Sequence, residues 1–96
     1  MSYFFHPAAE AEHLESVAYF ESKSPGLGAM YLLEFERVMQ LVCTAPQRYA
    51  AVGNEGVRRI RMKQFPFTVM YRESNNNVHV LAVAHHRRRP LYWLGR

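Results

Sequence analysis

The stretch from Val57 to His85 leaves a chain of this kind few ways to fold. Val57 to Lys63 alternates in character, Phe67 to Arg72 is rich in aromatic and branched residues, and Val78 to His85 is a continuous apolar run containing Val78, Val80, Leu81 and Val83. Each reads as a strand. Only Gln64-Phe65-Pro66 and Glu73-Ser74-Asn75-Asn76-Asn77 separate them, and asparagine tolerates the left-handed backbone that a tight hairpin demands. Three strands joined by connections this short run antiparallel, as a meander. The rest of the chain has to be arranged around that sheet.

Ahead of the meander the periodicity changes. Tyr3, Phe4 and Phe5 favour a short first strand, and Pro7 has the fixed φ that suits the first turn of a helix. From Ala8 to about Ser22 the residues Ala11, Leu14, Val17 and Ala18 recur at helical spacing, with Glu10, Glu12, Glu15 and Glu21 on the polar side. Ser24-Pro25 reads as a cap and first-turn proline for a second helix, whose stripe is Leu32, Phe35, Val38, Met39 and Val42 and which ends at Ala45-Pro46. Met30, Leu33 and Leu41 lie off that stripe. Either the second helix is wedged between the first helix and the sheet, or those three residues form a docking surface for a partner. Residues 46–56 carry a proline and two glycines without a sustained period and read as a connecting loop. The expected fold is therefore α+β: a strand, a helical hairpin and a three-stranded antiparallel meander, with the helices packed on one sheet face.

Ninety-six residues suit one domain over 1–96, and an apolar content of 49% suffices for a core without disulfides or metal. Cys43, between Val42 and Thr44, fits core packing better than thiol chemistry. No run is long enough to span a membrane and the first residues lack the order of a secretion signal, so a cytoplasmic location is the expectation. Charge is more informative because it is unevenly placed. Residues 1–48 hold three Lys/Arg against six glutamates, a balance of −3, whereas residues 49–96 hold nine against two, a balance of +7. Such a polycationic half favours an anionic partner, nucleic acid or an acidic protein segment.

The period of two places Arg59, Arg61 and Lys63 on one face of their strand and Ile60 and Met62 on the other, the cations spaced about 7 Å apart. Three like charges in line repel one another unless an anion offsets them. Arg72 ends the next strand and His85 the last, followed by His86, Arg87, Arg88 and Arg89, so strand ends can add to the row. Tyr92 and Trp93 offer aromatic faces for stacking on bases or anchoring an interface, or pack back onto the sheet. His85 and His86 have no further ligand in metal spacing, the chain has no aspartate, and no phosphate-binding loop or nucleophile elbow is present. No metal and no cofactor are expected.

Taken in order, these pieces resemble ParE-like members of the RelE/ParE toxin superfamily over nearly the whole chain. The resemblance rests on Phe5-His6-Pro7-Ala8-Ala9-Glu10, Tyr19-Phe20-Glu21, Pro25-Gly26-Leu27-Gly28, Arg59-Ile60-Arg61-Met62, Phe65-Pro66-Phe67, Val69-Met70-Tyr71-Arg72, Val80-Leu81-Ala82-Val83-Ala84-His85 and Arg87-Arg88-Arg89-Pro90-Leu91-Tyr92-Trp93. It implies a toxin of a bacterial type II toxin–antitoxin module, neutralised by a cognate antitoxin that wraps its helices and sheet, with a homodimer or a higher complex as further assemblies. The superfamily divides by target. ParE-like members poison DNA gyrase as binders, which would make Arg87, Arg88, Arg89 and Trp93 foremost, with Arg59, Arg61, Lys63 and Arg72 as further target-binding cations. RelE-like members cleave messenger RNA in the ribosome, which would make Arg59, Arg61, His85, Arg87 and Tyr92 the catalytic set. The arginine expected early in the third strand of that set falls on Thr68, and this departure favours the gyrase-directed branch. A basic nucleic-acid-binding module without toxicity is a third reading of the charge alone.

Overall fold

The computed structural model describes residues 1–96. The elements run β1 (Tyr3–Phe5), α1 (Pro7–Lys23), α2 (Leu27–Thr44), a 3-10 turn (Pro46–Arg48), β2 (Ala50–Val52), β3 (Val57–Arg61), β4 (Phe67–Ser74) and β5 (Asn77–His85). One sheet holds all the strands in the order β1-β5-β4-β3-β2. The expected meander is present and gains a fourth member: Ala50–Val52, read from sequence as loop, pairs antiparallel with β3. β1 lies parallel to β5, with Tyr3 opposite Val78. In the β4–β5 hairpin Asn75 (φ 52°) and Asn76 (φ 65°) are both left-handed, the geometry that matches the natural twist of paired strands. No helix is long and apolar enough to cross a membrane.

Local chemistry explains the helix ends. Pro7 opens α1, and Nδ1 of His6 accepts the Ala8 N–H at 3.1 Å. Ser24 and Pro25 do not start the second helix as expected. Ser24 ends α1 by donating its N–H to the Phe20 carbonyl, and α2 starts at Leu27 after a left-handed Gly26 (φ 88°). The cap comes from α1, because the Glu21 carboxylate accepts the N–H groups of Gly26 at 3.0 Å and Gly28 at 3.1 Å. The helices approach tightly there: a Cβ on Gly28 would sit 2.9 Å from the Val17 carbonyl oxygen.

The faces the helices bury differ partly from the apolar stripes in the sequence. In α2, Phe35, Val38, Met39 and Val42 are buried as expected, with Tyr31, but Leu32 is 38% exposed. In α1 the buried residues are Ala9 and His13, with Val17 and Phe20 packed against the core, and Leu14 is 61% exposed. Small and apolar residues occur on more than one side of α1, so docking decides. The side chosen puts the His13 ring against Phe35 at 4.3 Å, Phe5 at 5.2 Å and Tyr31 at 5.5 Å. Burial there lowers the pKa of His13.

The other sheet face is also partly covered. Trp93 folds back and is buried with Val57, Leu81 and Ala82, and Val52, Met70 and Tyr92 pack against them. A register shift leaves Leu81 as the extra residue of β5, since Met70 pairs with Ala82 and Tyr71 with Val80. The uninterrupted apolar run of β5 thus reflects a strand enclosed on both sides. β1 covers the outer edge of β5 only at Val78–Val80. Beyond it, side chains substitute for a strand: Glu12 accepts the Val83 N–H at 3.4 Å, and Arg96 donates to the Leu81 carbonyl and to both Glu12 oxygens, each at 3.1 Å.

Candidate functional site

Alternation along β3 sends Arg59 and Arg61 away from the helices, on the side shared with Val57, and leaves both exposed. Ile60 packs toward the main core. Hairpin register places Met70 opposite Arg59 and Thr68 opposite Arg61. Just past β5, His86 is fixed by its backbone N–H, which donates to the Pro66 carbonyl at 2.9 Å. Its Nδ1 lies 3.5 Å from Nη2 of Arg61 and its Nε2 lies 3.1 Å from Oγ1 of Thr68. Guanidinium nitrogens only donate, so Nδ1 accepts and, in the neutral ring, Nε2 carries the proton toward Thr68. These groups line a cleft of about 650 Å³ whose remaining walls are Tyr49, Ala50, Ile60 and Met70, with no carboxylate among them.

The electrostatics of this face are unbalanced. The ion pairs of the protein are Arg37–Glu34 and Arg96–Glu12, and neither includes Arg59, Arg61, Arg87, Arg88 or Arg89. First-half glutamates reach the second half at Arg96 and beside Arg87 and Arg88, but none lines the cleft of Arg59 and Arg61.

Other residues expected to join this row do not. β3 ends at Arg61, so Lys63 lies in the following turn, where its backbone N–H donates to Glu34 at 2.7 Å. Arg72 pairs opposite Val57 at the far end of the meander and lines a separate cleft beside Trp93 and Glu55, with its Nε buried and unpartnered. Trp93 is 4% exposed and holds the tail to the sheet, so it offers no free surface for target or anion binding.

The five residues a ribonuclease of the superfamily would need are divided. His85, one position from His86, alternates to the helix side and meets the Phe67 ring edge-on at 5.1 Å. It lines another cleft with Arg87, Tyr92 and the α1 residues Glu12, Glu15 and Tyr19, while His86 borders both clefts. The guanidiniums of Arg88 and Arg96 lie over the Tyr92 ring, 4.0 Å and 5.1 Å from its centroid. Its buried hydroxyl has no hydrogen-bond partner, and burial, reinforced by the negative charge of Glu12, pushes its pKa up to about 12. No three His, Cys or Glu side chains converge as metal ligands.

Thr68 is the member to which sequence reasoning gave no binding role, and His86 was counted only among the residues that could extend the row, not as a partner of Arg61. The signals were present. Strict alternation separates His85 from His86, and a hairpin closed between Arg61 and Phe67 puts Thr68 across from Arg61. On α2, Met30, Leu33 and Leu41 are exposed by 53%, 73% and 39%.

The model of the ParE toxin of type II toxin–antitoxin systems, parDE, matches residues 3–90. The chain belongs to the ParE toxin family. A similar solved structure is the chromosomal ParDE toxin–antitoxin system from P. aeruginosa, which aligns with a TM-score of 0.74 at 15% identity over 88% of this chain and 95% of that one. At that identity the likeness establishes the shared fold, two helices on a mixed sheet. No curated protein sequence matches. The face of β3 that carries Arg59 and Arg61 and the side of α2 that carries Met30, Leu33 and Leu41 are both exposed.

Proposed function

We propose that this chain is a growth-arresting toxin that binds DNA gyrase and is neutralised by a cognate antitoxin. The observation that carries the reading is the exposed pair Arg59 and Arg61 on β3, which makes no ion pair and lines a cleft without a carboxylate. Family membership supports a toxin, and the separation of His85, Arg87 and Tyr92 from Arg59 and Arg61 supports a binder rather than a nuclease. The antitoxin is assigned to the outer face of α2, where Met30, Leu33 and Leu41 place apolar surface in solvent. Purified toxin is expected to block supercoiling by gyrase, with activity restored when the antitoxin is added. Undiminished supercoiling at saturating toxin refutes the reading.

One observation favours cleavage of messenger RNA in the ribosome as a second reading. Arg61 stands beside an imidazole, and such a pair can stabilise charge on a reacting phosphate and move a proton. Under that reading Arg61→Ala lowers cleavage of ribosome-bound message by about 10²-fold. A plain nucleic-acid binder differs from both in causing no growth arrest on induction.

A further inference from the structure

We propose that the cleft on the β3 face is a phosphate cradle that takes the DNA backbone through Arg59, Arg61 and Thr68. The inference rests on the gyrase reading above and names the chemistry of the surface it uses.

Four groups converge there from three parts of the chain. Arg59 and Arg61 come from β3, Thr68 from the facing position of β4, and His86 from the start of the tail. The pattern of hydrogen bonds sets what each offers. With the His86 ring neutral and protonated on Nε2, Nδ1 faces Nη2 of Arg61 as an acceptor, Nε2–H donates a hydrogen bond to Oγ1 of Thr68, and the threonine hydroxyl hydrogen is left free to donate to a ligand. Arg59 makes no ion pair, and Arg61 keeps donors beyond the one facing His86.

The cleft therefore presents guanidinium and hydroxyl donors from two adjacent strands, and no carboxylate competes for them. Donors set around a concavity, rather than along a line, suit a tetrahedral oxyanion with several acceptor atoms better than a flat carboxylate. A phosphodiester is such an anion. The second cleft makes a useful contrast, because Glu12 and Glu15 stand among its cations and would repel a phosphate.

The test measures binding of the purified full-length toxin to fluorescent DNA, as a duplex and as a single strand, and to an RNA of the same sequence, across a salt series. Arg59→Gln/Arg61→Gln should weaken DNA binding by at least about 30-fold and lower the slope of log K against log salt by about 2. Thr68→Val should weaken it several-fold. Lys23→Gln/Arg48→Gln, which removes two charges elsewhere, should leave binding unchanged. All four residues of the cradle are on the surface or at its margin, so circular dichroism and thermal melting are expected to match the unmodified protein.

The gyrase assay is then run with the same proteins. Inhibition by the unmodified toxin that is lost in Arg59→Gln/Arg61→Gln supports the cradle. Inhibition that persists undiminished in that variant overturns the cradle and leaves the gyrase reading standing. DNA binding through these residues without any inhibition of gyrase refutes the gyrase reading alone. Equal weakening by the two double variants, equal competition by a glutamate-rich peptide, or binding of RNA with none of DNA overturns the assignment.

Discussion

Glu34 is the buried charge on which the geometry of the cationic strand most depends. Its side chain is 7% exposed and accepts three hydrogen bonds: from Arg37 Nε at 2.9 Å, from Arg37 Nη2 at 2.8 Å and from the Lys63 N–H at 2.7 Å. The last fixes the chain two residues after Arg61, where β3 turns toward β4. The Arg37 guanidinium, helped by that backbone donor, lowers the carboxyl pKa from 4.5 to about 2 against the opposing effect of burial. A shift of that size corresponds to about 3 kcal/mol in favour of the ionised form. Arg37 is partly solvated, with 38% of its side chain exposed, so screening reduces the net effect to about 2 kcal/mol.

Glu34→Gln removes the charge and turns an amide donor toward one of the groups that already donate. For a domain of this size, about 2 kcal/mol lowers the melting temperature by roughly 8–16 °C. The pH dependence carries the sign. Because the folded pKa is depressed, the stabilisation is fully present above the unfolded value near 4.5 and is lost as pH falls toward 2. Urea denaturation of both proteins between pH 7 and pH 2 is the assay. The loss between pH 5 and pH 2 should be shallower in Glu34→Gln. A variant within about 0.5 kcal/mol of the unmodified protein at pH 7, with the same acid profile, refutes this account.

His13 supplies a second pH effect. With its folded pKa lowered, the unfolded chain binds the proton more readily, so stability falls as pH drops below about 6.5, and His13→Phe should flatten that decline in denaturation curves. Arg96→Ala removes the bonds to Glu12 and to the Leu81 carbonyl. It should cost about 1–3 kcal/mol and shift emission of Trp93, the single tryptophan, to longer wavelength as the tail loosens; unchanged emission and stability would show that the tail is held by Trp93 alone. Gly28→Ala drives a methyl against the Val17 carbonyl oxygen and should destabilise by about 1–3 kcal/mol in chemical denaturation, although alanine favours helix elsewhere.

Much of the framework was legible because its causes are local. The meander follows from strand-forming runs separated by short turns, and Asn75 and Asn76 carry the hairpin geometry in their own backbone preferences. Pro7 marks the first helix for the same reason. The pairing of Arg59 with Arg61 on one face needs only the alternation of a strand. By contrast, β2 has three residues, Ala50-Ala51-Val52, with no pattern of their own, and exists because β3 offers it an edge. The choice between His13 and Leu14 for the core of α1 depends on where Phe5, Tyr31 and Phe35 stand, all of them outside that helix.

The same division runs through the site. Sequence alone determined that the later half is a polycation and that one of its strands displays Arg59 and Arg61 on a single face. Tertiary structure alone decided which cations share a surface: it removed Lys63 by ending β3 early, sent Arg72 to the opposite end, buried Trp93, and brought His86 and Thr68 to Arg61. The physical reason is that side-chain direction within one strand is fixed by covalent geometry, whereas the meeting of residues from different elements follows from how two packed layers and a returning tail bury their apolar surface.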